Sequence, residues 1–242
     1  MTLVNPLSKI KSAKIFKRKN SHKLSGDEFY KNFFVENKAW NKASPNYDEN
    51  LRWSIIEKFL YFIKGYHTTL SDHSKSNILD VGCGRGWLSN LLSEHGNIIG
   101  IEPVGAVVEY GRRLFPCLDL RIGTTQSLID KGYSLYFDII VCSEVIEHIA
   151  DDQKEAFLNE IKRLLKTNGF LILTTPRKDA EAEWKRYGDP EQPIENWFSE
   201  ESLAKLLSRT GFQTHLLKRL SMPPLKRVPE IEIYQLWLAQ KI

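Results

Sequence analysis

A chain of 242 residues with 42% apolar and 26% charged side chains has the composition of an ordinary globular protein. No apolar run approaches the roughly 18 residues that a membrane span needs, and Cys83, Cys117 and Cys142 form no CxxC pair. Those absences argue against a transmembrane helix, a disulfide framework and a paired-thiol zinc site, and they suit a reducing, cytoplasmic setting. The formal charge of +4 is local: residues 1–25 hold seven Lys/Arg and no acid, which leaves 27 basic and 30 acidic residues in the remainder. The body therefore offers no bulk attraction to nucleic acid. The acid-free tail reads as a flexible segment, and RNA, an anionic membrane surface or organelle targeting are the roles its charge can serve.

From Asp27 to Lys64 the chain is dense in aromatic residues, among them Tyr30, Phe33, Phe34, Trp40 and Trp53. Their spacing predicts helices over 27–37 and 51–64, broken by the turn-like Ser44-Pro45-Asn46. Residues 26–70 are thus expected to form a helical lid or substrate segment, with the main domain over 71–242. That domain alternates. Strands are predicted at Ile78–Val81, Asn97–Ile101, Asp119–Ile122, Phe137–Cys142 and Phe170–Thr174. Between them helices are predicted around Trp87–Leu92, over Val104–Leu114 and over Asp151–Lys166. A last helix, capped by Ser199, carries Leu203, Leu206 and Leu207. The alternation specifies an α/β fold, a parallel sheet with helices on both faces. Segments 212–220 and 230–241 follow with no helix between them and are expected to pair as an antiparallel hairpin.

Ligands of such sheets lie beyond the carboxyl ends of the strands. There the chain reads "ILDVGCGRGWL" (78–88), with Gly82, Gly84 and Gly86 in G-x-G-x-G spacing. This differs from the G-x-G-x-x-G of dinucleotide sites, and no Gly-Lys-Ser/Thr marks a phosphate loop. Glu102 ends the second strand 22 residues after Asp80. A carboxylate there can accept both hydroxyls of a ribose.

Four segments, "ILDVGCGRG", "IIGIEP", "FDIIVCSEVIEHI" and "LLKTNGFLILTTP", resemble the signatures of class I S-adenosylmethionine-dependent methyltransferases. They are most similar to the ubiquinone-biosynthesis O-methyltransferase branch. The resemblance covers about residues 50–242 and implies a Rossmann-like, seven-stranded sheet whose last strand is antiparallel. It implies S-adenosylmethionine as cofactor and S-adenosylhomocysteine as product. On the same basis Gly82–Gly86 and Pro103 line the cofactor, Glu102 takes the ribose, and Asp80 holds the methionine ammonium. The side chains of Cys83 and Arg85 are expected to face solvent. Thr124, followed by Thr125, stands where the family has an acid for the adenine amino group. Cys142 and Ser143 are expected to close the methionine side.

Glu144, Glu147 and His148 form an E-x-x-E-H cluster at the same edge. On a helical turn these positions share one face, and their ligand types suit Mg²⁺, Mn²⁺ or Zn²⁺. Some relatives with this cluster hold a metal, which makes a divalent cation a candidate cofactor. His148 can equally be a general base, with Glu144 beside it, because imidazole titrates near neutrality; it can also be a packing residue. Tyr30, Trp40, Trp184 and Tyr187 are candidate substrate contacts. The expected activity is methylation of an oxygen, or else a nitrogen, on a small or medium metabolite. The competing readings are an RNA methyltransferase using the basic tail and a non-catalytic cofactor-binding protein.

Overall fold

The computed structural model describes residues 25–67, 75–187, 192–224 and 228–242; the expected basic tail lies outside them, apart from Ser25. Seven strands form one sheet: β1 (Ser76–Val81), β2 (Gly96–Glu102), β3 (Asp119–Ile122), β4 (Phe137–Ser143), β5 (Leu165–Pro176), β6 (Phe212–Met222) and β7 (Ile231–Lys241). Their order is β3-β2-β1-β4-β5-β7-β6. The first five are parallel neighbours, and β7 runs antiparallel to both β5 and β6. The α/β class and the closing hairpin are as the sequence predicts.

The helices are α1 (Gly26–Lys31), α2 (Tyr47–His67), α3 (Trp87–Leu92), α4 (Gly105–Leu114), α5 (Thr125–Asp130), α6 (Lys154–Leu164), α7 (Lys178–Trp184) and α8 (Glu200–Arg209). Alternate strand residues feed two apolar layers, as the two-residue period of a strand requires. Leu79, Ile140, Cys142, Leu171 and Trp237 pack with Phe157 and Leu158 of α6 and Leu203 of α8. Ile78, Val141, Phe170, Ile172 and Leu238 pack on the other face with Ile56, Phe59 and Ile63 of α2 and Leu88 of α3. Each such side chain, fully buried, contributes roughly 1.5–3 kcal/mol.

Three expectations are corrected. The helix predicted over 27–37 is α1 followed by a turn of π-helix at Asn32–Glu36. The one predicted over 151–166 is α6, which stops at Leu164, because Leu165 already pairs with Phe137 as the start of β5. α5 and α7 are short helices that apolar periodicity did not predict.

Candidate active site

At the carboxyl ends of β1, β2 and β4 the glycine turn crosses the sheet edge. Gly82 and Gly84 have φ of 68° and 51°, a region that costs any residue with a Cβ. A Cβ on Gly82 would sit 2.5 Å from Val145 Cγ2, and one on Gly84 would sit 3.2 Å from the Phe34 ring. The turn is thus closely approached by this chain's own side chains. The expectation that Cys83 and Arg85 face solvent is overturned. Cys83 is buried against Val108 and Leu120, and its N–H donates to the Ile101 carbonyl at 2.9 Å. Arg85 is fully buried and forks onto Glu49, Nη1 to Oε1 at 2.7 Å and Nη2 to Oε2 at 2.8 Å. Its Nε donates to the Lys42 carbonyl at 2.6 Å. The segment that leads into α2 is thereby tied to the glycine turn.

Two carboxyls lie buried beside the turn. Asp80 accepts from Ser89 Oγ at 2.6 Å, and Glu102 Oε1 accepts from the Val104 N–H at 3.0 Å. Burial pushes each up to about 7, against the relief of those hydrogen bonds. Neither pairs with a cation among the described residues, so an ammonium group or ribose hydroxyls would complete their surroundings.

Beside Gly82 opens a cavity of about 430 Å³, walled by Val81, Ile101, Pro103, Val145, Ile149 and Phe157. Thr124 also borders it, but its side chain accepts from Ser127 N–H at 3.3 Å as the cap of α5. That use conflicts with Thr124 standing in for an adenine-binding acid. Thr125 is buried and donates to Glu160 Oε2 at 2.5 Å. Cys142, expected to close the methionine side, has its side chain buried in the core with the α6 layer. Ser143 Oγ lies 2.9 Å from Thr174 Oγ1.

The E-x-x-E-H residues do not share a helical face. Glu144 precedes the turn in a left-handed conformation, φ 58°, and only Ile146–His148 form one turn of 3₁₀-helix. Glu144 Oε2 lies 3.4 Å from Arg52 Nη1, and Glu144 Oε1 accepts from Thr174 Oγ1 at 2.8 Å. Glu147, almost fully buried, accepts from Thr175 Oγ1 at 3.0 Å. Among the described residues no group of three His, Cys, Asp or Glu side chains is placed to hold a metal ion. Arg52 and Thr174 take the two oxygens of Glu144 and Thr175 takes Glu147 Oε2, while Glu147 Oε1 lies 3.7 Å from His148 Nε2. Burial raises both Glu144 and Glu147 above the usual carboxyl range.

His148 is held by its ring nitrogen. Its Nδ1 lies 2.7 Å from the Ile194 carbonyl, which assigns the proton to Nδ1 and leaves a lone pair on Nε2. Burial lowers its pKa below the ordinary 6.5, so the ring is neutral at neutral pH.

The front segment covers this edge. The Tyr30 ring lies 6.0 Å from that of His148, edge-on, and burial lifts the Tyr30 phenol well above its ordinary value. Trp40 packs on Phe33 at 4.7 Å, and Phe33 is joined to Tyr30 through Phe29 and Phe34. Trp184 packs against the α2 layer and Tyr187 is exposed; among the described residues no ring contact joins either to His148. Sequence reasoning missed Arg52, which is buried between Asp48 at 3.1 Å and Glu144, with its guanidinium 5.1 Å from the Tyr234 ring centre. Its Nε has no hydrogen-bond partner among the described residues. The i,i+4 pair Asp48–Arg52 was the available signal.

A doubly wound sheet with a reversed seventh strand, a glycine turn and a carboxyl at the end of β2 defines the class I methyltransferase fold. The chain belongs to the methyltransferase-domain family, whose model matches residues 48–217. It is 32% identical over 155 residues to the ubiquinone biosynthesis O-methyltransferase of Rickettsia prowazekii, covering 61% of each chain. It is 40% identical over 136 residues to the mitochondrial enzyme of that name from Bos taurus, covering 53% of this chain and 36% of that one. The chain thus spans 36% to 61% of the length of these curated relatives. Among solved structures it is similar in fold to a Burkholderia thailandensis 1,6-didemethyltoxoflavin-N1-methyltransferase with bound S-adenosylhomocysteine. That match has a TM-score of 0.60 at 17% identity and covers 100% of this chain and 92% of that one.

Proposed function

We propose that the protein transfers the methyl group of S-adenosylmethionine to an oxygen of a small metabolite. The observation that carries this reading is the meeting, at one sheet edge, of buried and cation-free Asp80 and Glu102 with the neutral imidazole of His148. The names of the similar O-methyltransferases favour oxygen over nitrogen. Bound S-adenosylmethionine supplies an electrophilic methyl on a sulfonium. In this chain Glu102 accepts the ribose hydroxyls and Asp80 faces the ammonium. The backbone of Gly82–Gly86, with Cys83 as a backbone contact only, lies along the methionine end, and Pro103 and Thr125 border the base. His148 Nε2 takes the acceptor's proton as the methyl moves, a contribution of about 10²–10⁴-fold for a positioned base. Tyr30 and Trp40 form the acceptor's outer wall, and residues 26–46 close over it.

The test is a panel of phenolic and alcoholic acceptors incubated with isotope-labelled cofactor and read by mass spectrometry. A labelled methyl on an oxygen is the expected result. Methyl transfer confined to nitrogen acceptors or to RNA, or cofactor binding with no transfer to any acceptor, overturns the reading.

A further inference from the structure

The polar inventory of the 430 Å³ cavity leaves one charged group without a structural task. Thr124 is spent on capping α5, and Thr125 donates its hydroxyl to Glu160 Oε2. Gln126 donates its amide nitrogen to Asp130 at 2.7 Å. Glu160, which reaches in from α6 and is half-buried at the cavity wall, forms no ion pair with a lysine or arginine among the described residues. Its Oε2 is held by Thr125, so the carboxylate is oriented and Oε1 remains as an acceptor.

The rest of the lining is Gln153 at the start of α6, apolar side chains and the backbone edge of Gly82 and Gly123. They suit a flat heteroaromatic ring. A carboxylate oxygen at the rim selects a ring that presents an N–H donor over one that presents a carbonyl, because two facing acceptors leave a charged group unpaired. We infer that Glu160, on the helix opposite the end of β3, accepts a hydrogen bond from the exocyclic amino group of the cofactor's adenine, with Thr125 as the residue that aims it. This rests on the cofactor reading given under Proposed function. It goes further in naming the specificity residue for the base and in placing it on α6, 36 residues beyond Thr124, the position to which the sequence pointed.

The experiment compares S-adenosylhomocysteine with S-inosylhomocysteine, in which a carbonyl replaces the amino group, by calorimetry on the full chain. The wild-type protein is expected to prefer the adenine ligand by roughly 10- to 100-fold, the range for one hydrogen bond to a charged group. Glu160→Gln keeps the size and an acceptor for Thr125, and its amide can turn a donor toward a carbonyl. In that variant the preference should collapse to within about 3-fold, with an unchanged melting temperature in the absence of ligand. Thr125→Val, which frees the carboxylate without removing it, should give an intermediate preference.

If Glu160→Gln retains the full preference, the inference is overturned. It is equally overturned if the preference is lost only in Gln126→Met, which would assign the base to α5 instead. If the wild-type protein binds neither ligand, the cofactor reading fails and takes this inference with it. Tight binding of the adenine ligand without discrimination sinks the inference alone.

Discussion

The Arg85–Glu49 pair gives the sharpest test of how the front segment is attached. Both side chains are essentially removed from water, at 0% and 1% exposure. The guanidinium makes two charge-assisted bonds to Glu49 and a third to the Lys42 carbonyl. Removing one member of such a pair leaves the other charge buried and unpartnered, which costs about 3–5 kcal/mol. Arg85→Met should therefore lose about that amount in urea denaturation. At roughly 2–4 °C per kcal/mol for a domain of this size, its melting point should fall by about 6–20 °C. Glu49→Met should cost at least as much, because the Glu49 side chain also accepts from the N–H of Asn46, the residue that caps α2, at 2.7 Å. The double variant Arg85→Met/Glu49→Met should be less destabilised than the sum of the singles, since no lone charge remains. Hydrogen exchange should show the loss concentrated in residues 26–46. Single variants that keep their melting points within 1–2 °C and their protection in that segment would refute the argument.

Three other outcomes follow from the site. Glu102→Ala should weaken S-adenosylhomocysteine binding by roughly 1.5–3 kcal/mol in calorimetry; equal affinity would remove Glu102 from the ribose. Asp80 and Glu102 have pKa values raised to about 7 from 3.8 and 4.5, so the stability they give the unliganded fold is complete below about pH 4 and lost as pH rises through 7. Ligand binding favours the ionised forms, so the melting-point gain given by S-adenosylhomocysteine should grow between pH 6 and 8, and a flat or falling gain would contradict the assignment. His148→Gln should lower turnover by about 10²–10⁴-fold with cofactor affinity intact and with no response to chelator in the parent protein; a rate abolished by chelator and restored by Mg²⁺ would return the cluster to metal chemistry.

The sheet was legible because β1, β2, β4 and β5 are near-continuous aliphatic runs, as strands covered on both faces must be. Glu102 and the glycine turn were legible because the spacing from Asp80 to Glu102 is set by a single strand–helix–strand unit. Arg85 was misread for the opposite reason. Its partner lies 36 residues upstream, and a pairing at that distance leaves no local period, so a charge in a glycine loop looks solvent-exposed. The E-x-x-E-H cluster was misread because its spacing was taken as α-helical, whereas the left-handed backbone at Glu144 swings that carboxylate toward Arg52. Glu160 was passed over because its helix shows an apolar stripe, and a polar residue off that stripe reads as surface.

The position of β7 also governs the order in which the molecule can be assembled. β6 has no neighbour in the sheet except β7, and β5 meets the hairpin only through β7 along Phe170–Pro176. Residues 231–241 must therefore have emerged during synthesis before 165–176, already paired with β4 on one side, can gain its second neighbour, or 212–222 can pair in the sheet at all. Until then the apolar faces of β5, with Phe170, Leu171, Ile172 and Leu173, stand with one open side. That delay, set by topology rather than by stability, leaves the outer edge of β5 unpaired for the whole time that residues 177–230 are being made.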